Sequence, residues 1–193
     1  MRITGGSVRG RTLRGPKGTN DTIRPTSDRV REALFSILGD RVRDARVLDL
    51  FAGTGSLGLE ALSRGAASAV FIDRSPTALD LIRANLLHCG ITRAELYRID
   101  LTRPAGYSNL ARRLAPGRQF DLVFLDPPYE KNLADLALKM VENTGIVAPG
   151  GLVVAEERGN VILPDPVGSL RLLQHRRYGE TSIWLYSIEN SAT

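Results

Sequence analysis

With 193 residues, 42% of them apolar and 24% charged, the chain has the size of one ordinary domain and the material for a sizeable core. Its net charge of +5 points toward an acidic partner, while the absence of any apolar run near the roughly 18–20 residues that cross a bilayer argues against a membrane protein. Cys89 is the only cysteine, which excludes an internal disulfide, and with only His88 and His175 beside it no metal site is expected.

The opening segment, MRITGGSVRGRTLRGPKG, has no apolar stretch resembling a signal peptide, so a cytoplasmic location is expected. Residues 1–31 carry eight basic side chains against Asp21 and Asp28, a net of +6, so residues 32–193 sum to −1. Residues 1–25 thus read as a basic extension, with Arg2, Arg9, Arg11, Arg14 and Lys17 as its candidate nucleic-acid contacts. Seven of the eight basic residues are arginine, whose planar fork suits phosphate and stacks on bases. Charge alone supports two readings equally: a nucleic-acid-binding arm, or a solvated and partly disordered tail.

Next comes RPTSDRVREALFSIL, an amphipathic helix in which Val30, Ala33, Leu34, Ile37 and Leu38 share a face and Thr26, Ser27 or Asp28 is the expected cap. From residue 46 the pattern alternates. RVLDLF, SAVFID, ELYRID, FDLVFLD and LVVAEE read as five strands, most of them nearly continuous in apolar character, as in a parallel sheet covered on both faces. Helices fill the gaps; in SPTALDLIRANLLHCG, Ser75 is the expected N-cap, Pro76 sits in the first turn and Gly90 closes the end. The last stretch, LRLLQHRRYGETSIWLYSI, offers two strands around a YGET turn with no room for a helix, so an antiparallel hairpin is expected. These elements make a doubly wound α/β domain over residues 26–188, followed by a disordered tail at 189–193.

LDLFAGTGSLGLEAL places Gly53, Gly55 and Gly58 between a strand and a helix, formally a G-x-G-x-x-G. That spacing suits a dinucleotide, but alone it says only that the backbone turns tightly and is closely approached. Asp49, four positions before Gly53, discriminates. A carboxylate there would repel a pyrophosphate and hold a cationic group. S-adenosylmethionine has such an end, an α-ammonium and a sulfonium without phosphate, and a carboxylate suited to a helix N-terminus. Asp73 ends the second expected strand, where an acid can take the two ribose hydroxyls; Asp100 ends the third, near the adenine amino group. Any one of these aspartates could merely cap a helix or solvate a strand end. As a set around a glycine loop they point to the cofactor.

The fourth expected strand stops abruptly in Asp126, Pro127, Pro128 and Tyr129. In a doubly wound sheet the first and fourth strands neighbour one another at the switch point, which would bring Asp126 beside the Asp49–Gly55 loop. The exocyclic amine of a nucleobase is a poor nucleophile because its lone pair is delocalised into the ring. A carboxylate and a backbone carbonyl accepting its two N–H bonds can pull the nitrogen out of conjugation. Pro127 supplies a carbonyl without a competing N–H, and two prolines in succession fix the backbone that carries it. Tyr129 offers a ring face for an extruded base, worth about 1–3 kcal/mol. A strand-terminating turn is the plain alternative for this motif.

DLFAGTGSLGLEALSRGA with FLDPPYEK resembles the class I, S-adenosylmethionine-dependent N-methyltransferases. Together with RITGGSVRGRTL, RPTSDRVREALFSIL and RRYGETSIWLY, these segments resemble one subset, the RsmD family, from Arg2 to about Tyr186. The resemblance implies a Rossmann-like, mostly parallel seven-stranded sheet with a C-terminal antiparallel hairpin and methylation of guanine N2 in 16S rRNA, the substrate being small-subunit RNA in an assembled particle. It places Asp49, Phe51, Gly53, Gly55, Asp73, Arg74, Asp100 and Leu101 at the cofactor, and Arg24 and Thr26 in a segment closing over its methionine end. It places Asp126, Pro127, Pro128 and Tyr129 at the catalytic corner; a monomer without metal is expected.

Competing readings remain. DPPY also serves DNA adenine-N6 and cytosine-N4 methyltransferases, although those usually carry extra mass for sequence recognition. A nicotinamide-dependent oxidoreductase would leave Asp49 and DPPY unexplained. An RNA-binding assembly factor that keeps a cofactor pocket without turnover is the reading from another class.

Overall fold

A computed structural model of the chain describes residues 1–15, 25–129 and 133–188; the side chains of 25–27 lie outside that description, as do Lys17, Arg24 and the expected tail at 189–193. Seven strands make a mostly parallel sheet, the Rossmann-like fold of class I methyltransferases. The chain divides into two compact units, Met1–Arg98 and Ile99–Thr193.

The first unit holds α1 (Pro25–Leu38), a 3₁₀ turn (Gly39–Val42), β1 (Arg46–Leu50), α2 (Ser56–Ser63), β2 (Ser68–Asp73), α3 (Pro76–Cys89) and β3 (Ala94–Arg98). Its strands run parallel in the order β3-β2-β1. Val47, Leu48 and Leu50 of β1 and Val70, Phe71 and Ile72 of β2 are fully buried, so consecutive residues on both faces are covered and the strands read as apolar runs. Capping of α3 is as expected: Ser75 Oγ accepts from the Ala78 N–H at 3.3 Å, Pro76 opens the helix and Gly90 ends it at φ +68°.

Two boundaries differ from the sequence reading. The first helix begins at Pro25, so Thr26, Ser27 and Asp28 occupy its first turn instead of capping it. Proline is pre-organised for that opening position, where no N–H is needed. β3 stops at Arg98, two residues short of Asp100. Asp100 starts a turn instead, its Oδ1 accepting from the Thr102 N–H at 3.0 Å and the Thr102 hydroxyl at 2.7 Å ahead of α4.

Residues 1–15 are not a solvated tail. They fold back through a bridge between Arg2 and Thr12, with the Ile3 N–H donating to Arg11 O at 3.0 Å and Gly10 N–H to Ile3 O at 2.8 Å. Ile3 and Leu13 are buried. The segment is stitched to the end of α2: the Ser7 N–H reaches Ser63 O at 2.7 Å, the Val8 N–H reaches Ser63 Oγ at 3.1 Å, and Ser63 Oγ donates to Gly5 O at 2.6 Å.

The second unit holds α4 (Pro104–Arg113), β4 (Phe120–Leu125), α5 (Leu133–Thr144), β5 (Val147–Arg158), β6 (Leu170–Tyr178) and β7 (Thr181–Ile188). Strand order is β4-β5-β7-β6, with β4 and β5 parallel and β7 antiparallel to both of its neighbours. The expected terminal hairpin is therefore present, and Thr181 lies opposite Tyr178 at its tip. β5 starts five residues before the expected Leu152, because a register shift near Phe120 lets Val147 pair ahead of the Pro149–Gly151 kink. Among the described residues no helix is long and apolar enough to cross a membrane.

Candidate cofactor and catalytic site

The turn leaving β1 is held from below by two carboxylates. Asp49 points back under α2, its Oδ2 accepting the Gly58 N–H at 2.9 Å. Asp73, at the end of β2, accepts the Gly53 N–H at 2.9 Å on one oxygen and the Ser75 N–H at 2.8 Å on the other. The loop closes through Gly55 N–H to Ala52 O at 2.7 Å and Ala52 N–H to Ile72 O at 3.0 Å. Phe51 adopts φ +62°, a left-handed conformation that costs a non-glycine residue energy and concentrates at ligand-binding turns.

Glycine is required at two of these positions for different reasons. Gly55 sits at φ +76° with Ile82 already 3.0 Å from where a Cβ would be. At Gly58 a Cβ would meet the Phe71 ring at 2.3 Å and Asp49 Oδ2 at 3.1 Å, so any side chain would push α2 off the strand. That close approach lets the helix N–H reach the buried acid.

Asp49 is 1% exposed. Burial pushes its pKa up to about 7; the Gly58 N–H pulls it back and the neighbouring Asp73 charge adds to the rise. A carboxylate in this state is a poor partner for water and a strong one for a cation. Asp73 is half-buried, and each of its oxygens keeps a second lone pair beyond the backbone bond it accepts. This donor and acceptor set fits a ligand with a cationic end and a vicinal diol. Arg74, by contrast, is exposed, and its carbonyl accepts from Arg98 Nε at 3.2 Å.

Asn85 is fully buried and was not singled out by the sequence reading. Its amide accepts the Arg14 N–H at 2.8 Å and donates to Arg14 O at 3.2 Å and to Thr54 O at 3.1 Å. The glycine loop and the basic segment thus share one side chain. Asn85→Ala is expected to destabilise the protein by about 1–3 kcal/mol in urea melts, because Thr54 O and both Arg14 backbone groups lose a buried partner. Equilibrium dialysis should show weaker cofactor binding in the same variant.

Glu60 was also missed. It is fully buried in α2 and accepts from Thr4 N–H and Thr4 Oγ1 at 2.8 Å each, from Arg64 Nε at 2.7 Å and from Arg31 Nε at 3.3 Å. Arg31 in turn bonds Arg2 O and, at 2.9 Å, Asp28. The sequence signal was a lone acid inside the apolar run SLGLEAL. The basic side chains this segment carries, Arg2, Arg9, Arg11 and Arg14, are exposed. Arg11 is partly committed, donating to His88 O at 2.5 Å. Arg2, Arg9 and Arg29, with Asp28 and Glu32, line a cleft of about 520 Å³.

In the second unit, β4 delivers Asp126 half-buried at its end, followed by a buried Pro127, an exposed Pro128 and a half-buried Tyr129. The Tyr129 hydroxyl donates to Glu156 Oε1 at 2.7 Å and lies 3.3 Å from Thr181 Oγ1. Arg158 lies over its ring, 5.7 Å from the centroid. Leu101 is buried and Asp100 exposed. Among the described residues no group of three or more His, Cys, Asp or Glu is placed to hold a metal ion.

The comparisons agree across nearly the whole chain. The profile of the conserved hypothetical protein 95 family matches residues 1–187. Ribosomal RNA small subunit methyltransferase D of Escherichia coli (strain K12) is 34% identical over 189 residues, covering 98% of this chain and 90% of that protein. The protein of the same name from Haemophilus influenzae is 36% identical over 190 residues, covering 96% and 93%. A solved hypothetical protein from Thermus thermophilus superposes with a TM-score of 0.78 at 31% identity, covering 98% of this chain and 99% of its own. The chain belongs to the conserved hypothetical protein 95 family, the RsmD family of methyltransferases.

Proposed function

We propose that the protein transfers a methyl group from S-adenosylmethionine to the exocyclic N2 amine of a guanine in 16S rRNA of the small ribosomal subunit. The observation that carries this reading is the Asp126-Pro127-Pro128-Tyr129 corner closing a buried parallel strand, in a chain related over nearly its full length to proteins named for small-subunit rRNA methylation.

The cofactor supplies a methyl group on a sulfonium, an electrophile that needs no further activation. Asp49 would meet its cationic end and Asp73 its ribose. Phe51, Gly53, Gly55 and Arg74 would be further cofactor contacts, Asp100 and Leu101 would serve its adenine, and Arg24 and Thr26 its methionine end. The carboxylate of Asp126 and the carbonyl of Pro127 accept the two N–H bonds of the guanine amine and aim its lone pair. As positive charge grows on that nitrogen, Asp126 is already in place to stabilise it. No base need act first; the proton leaves once the new bond has formed. Tyr129 stacks on the base.

RNA is drawn in by the exposed guanidinium groups of residues 1–15. Neutralising Arg2, Arg9 and Arg14 to glutamine is expected to weaken RNA binding and to reduce the slope of log K against log salt by about one unit for each phosphate left without its cation. Filter binding across a salt series reads the slope, and an unchanged slope would remove these residues from the interface.

The direct test is incubation with radiolabelled S-adenosylmethionine and undermethylated small subunits, followed by mass identification of the labelled nucleoside. N2-methylguanosine in 16S rRNA supports the reading. Label on adenosine or cytidine, or on DNA in preference to RNA, would overturn it.

A further inference from the structure

Glu156 and Thr181 converge on Tyr129 from two different strands. β5 and β7 are paired with Arg158 opposite Thr181 and Glu156 opposite Ile183. Residues two apart on a strand share a face, so Glu156, Arg158 and Thr181 all present to the same side of the sheet. On that side the Tyr129 hydroxyl meets the Glu156 carboxylate at 2.7 Å and the Thr181 hydroxyl at 3.3 Å, while the Arg158 guanidinium lies over the ring. The strand ends that carry these groups are themselves tied, the Gly159 N–H donating to Glu180 O at 2.7 Å.

A tyrosine that only filled space would not need a carboxylate placed half-buried beneath its hydroxyl. Burial raises the pKa of Glu156, with the phenol hydrogen bond opposing and Glu157 adding to the rise; burial and then the Glu156 charge raise the phenol. The phenol therefore keeps its proton through the neutral range and remains the donor to Glu156. Two contacts at the hydroxyl fix the position of the ring's far end, and Arg158 occupies one face by a cation–π contact. A stacking platform held in this way has one orientation and one face to offer.

We propose that Glu156 and Thr181 are positioning residues that set the plane of Tyr129, and that Arg158 reserves one ring face so that a target base stacks on the other and reaches Asp126 in a single pose. This rests on the function proposed above. It adds to that function a set of residues outside the DPPY motif whose work is to orient the substrate base. Misplacement of a reacting group by about an ångström is costly even when every chemical group is present.

The test is single-turnover methyl transfer to undermethylated small subunits at saturating cofactor. Tyr129→Phe and Glu156→Ala are each expected to slow transfer about tenfold, the scale of one charge-assisted hydrogen bond. Glu156→Gln, whose amide oxygen can still accept the phenol proton, should recover to within about threefold of the parent. The double variant Tyr129→Phe with Glu156→Ala should be no slower than the slower single, since both remove the same hydrogen bond. Cofactor affinity by equilibrium dialysis should stay within about twofold in all of them. Multiplying losses in the double variant, full rate in Glu156→Gln and Glu156→Ala alike, or no rescue by Glu156→Gln would overturn the assignment. Tyr129→Phe and Glu156→Gln keep the test decisive if Glu156→Ala fails to fold. Absence of guanine methylation by the parent protein is a different outcome: it would remove the proposed function, and this inference with it.

Discussion

Replacing Asp126 with alanine is expected to lower turnover by about 10²-fold or more while leaving cofactor affinity within about twofold. The asymmetry follows from what the carboxylate does. In the proposed mechanism it touches the amine and not the cofactor, and its interaction strengthens only as charge appears on nitrogen, so its loss falls on the rate. Single-turnover rates at saturating cofactor, set beside equilibrium dialysis with the labelled cofactor, separate the two effects. Normal turnover at saturation combined with a large loss of cofactor affinity would mean that Asp126 serves the methyl donor instead of the acceptor.

Asp49→Asn should do the reverse, and it should stabilise the protein as it disables it. The folded-state pKa of Asp49, about 7, lies above the value of 3.8 for an unburied aspartate. Between those values the unfolded chain has released its proton and the folded chain has not, so stability falls as pH rises through this window. Above pH 7 both states are ionised and the whole penalty remains, at most roughly 4 kcal/mol for a difference of this size. Asparagine never ionises. Urea melts should therefore show the variant more stable than the parent by about 1–3 kcal/mol at pH 8 and no more stable at pH 4. Cofactor binding should weaken by about tenfold or more at pH 8, since in the proposed function Asp49 supplies the counter-charge for the cationic end. A parent protein that gains stability from pH 4 to 8 with no change in Asp49→Asn would mean that ionising the acid carries no burial cost.

How far these sites were legible depends on what each signal required. β1, β2 and β4 could be read from consecutive apolar residues because both faces are covered, and the terminal hairpin from its YGET turn. The end of β3 could not, since an aspartate in a strand-like run looks like a strand end until its hydrogen bonds to Thr102 show it opening a turn. Asp49 and Asp73 could be singled out by their positions at the strand ends. Their engagement with the Gly58 and Gly53 N–H groups could not, because it depends on how closely α2 approaches the sheet. Asn85 and Glu156 were missed because each acts through a partner 27 to 71 residues away, a distance no local pattern records, whereas Glu60 left only the signal of a lone acid in an apolar run. The charge pattern of residues 1–15 was correctly seen as basic, but the same residues have two tasks, with backbone and small polar groups anchoring the segment while guanidinium groups face outward.

That division bears on how the protein can be altered. Editing the outward-facing arginines one at a time leaves the anchor intact, whereas deleting the first fifteen residues would unseat Glu60 from Thr4 and free Arg31 from the Arg2 carbonyl. Truncation would then strip Glu60, inside the helix that begins at the glycine turn, of its Thr4 partner and leave it only Arg31 from the first helix and Arg64 at its own helix end. Loss of activity in a shortened chain would therefore report a damaged scaffold and say nothing about who touches RNA; only side-chain replacement keeps those two questions apart.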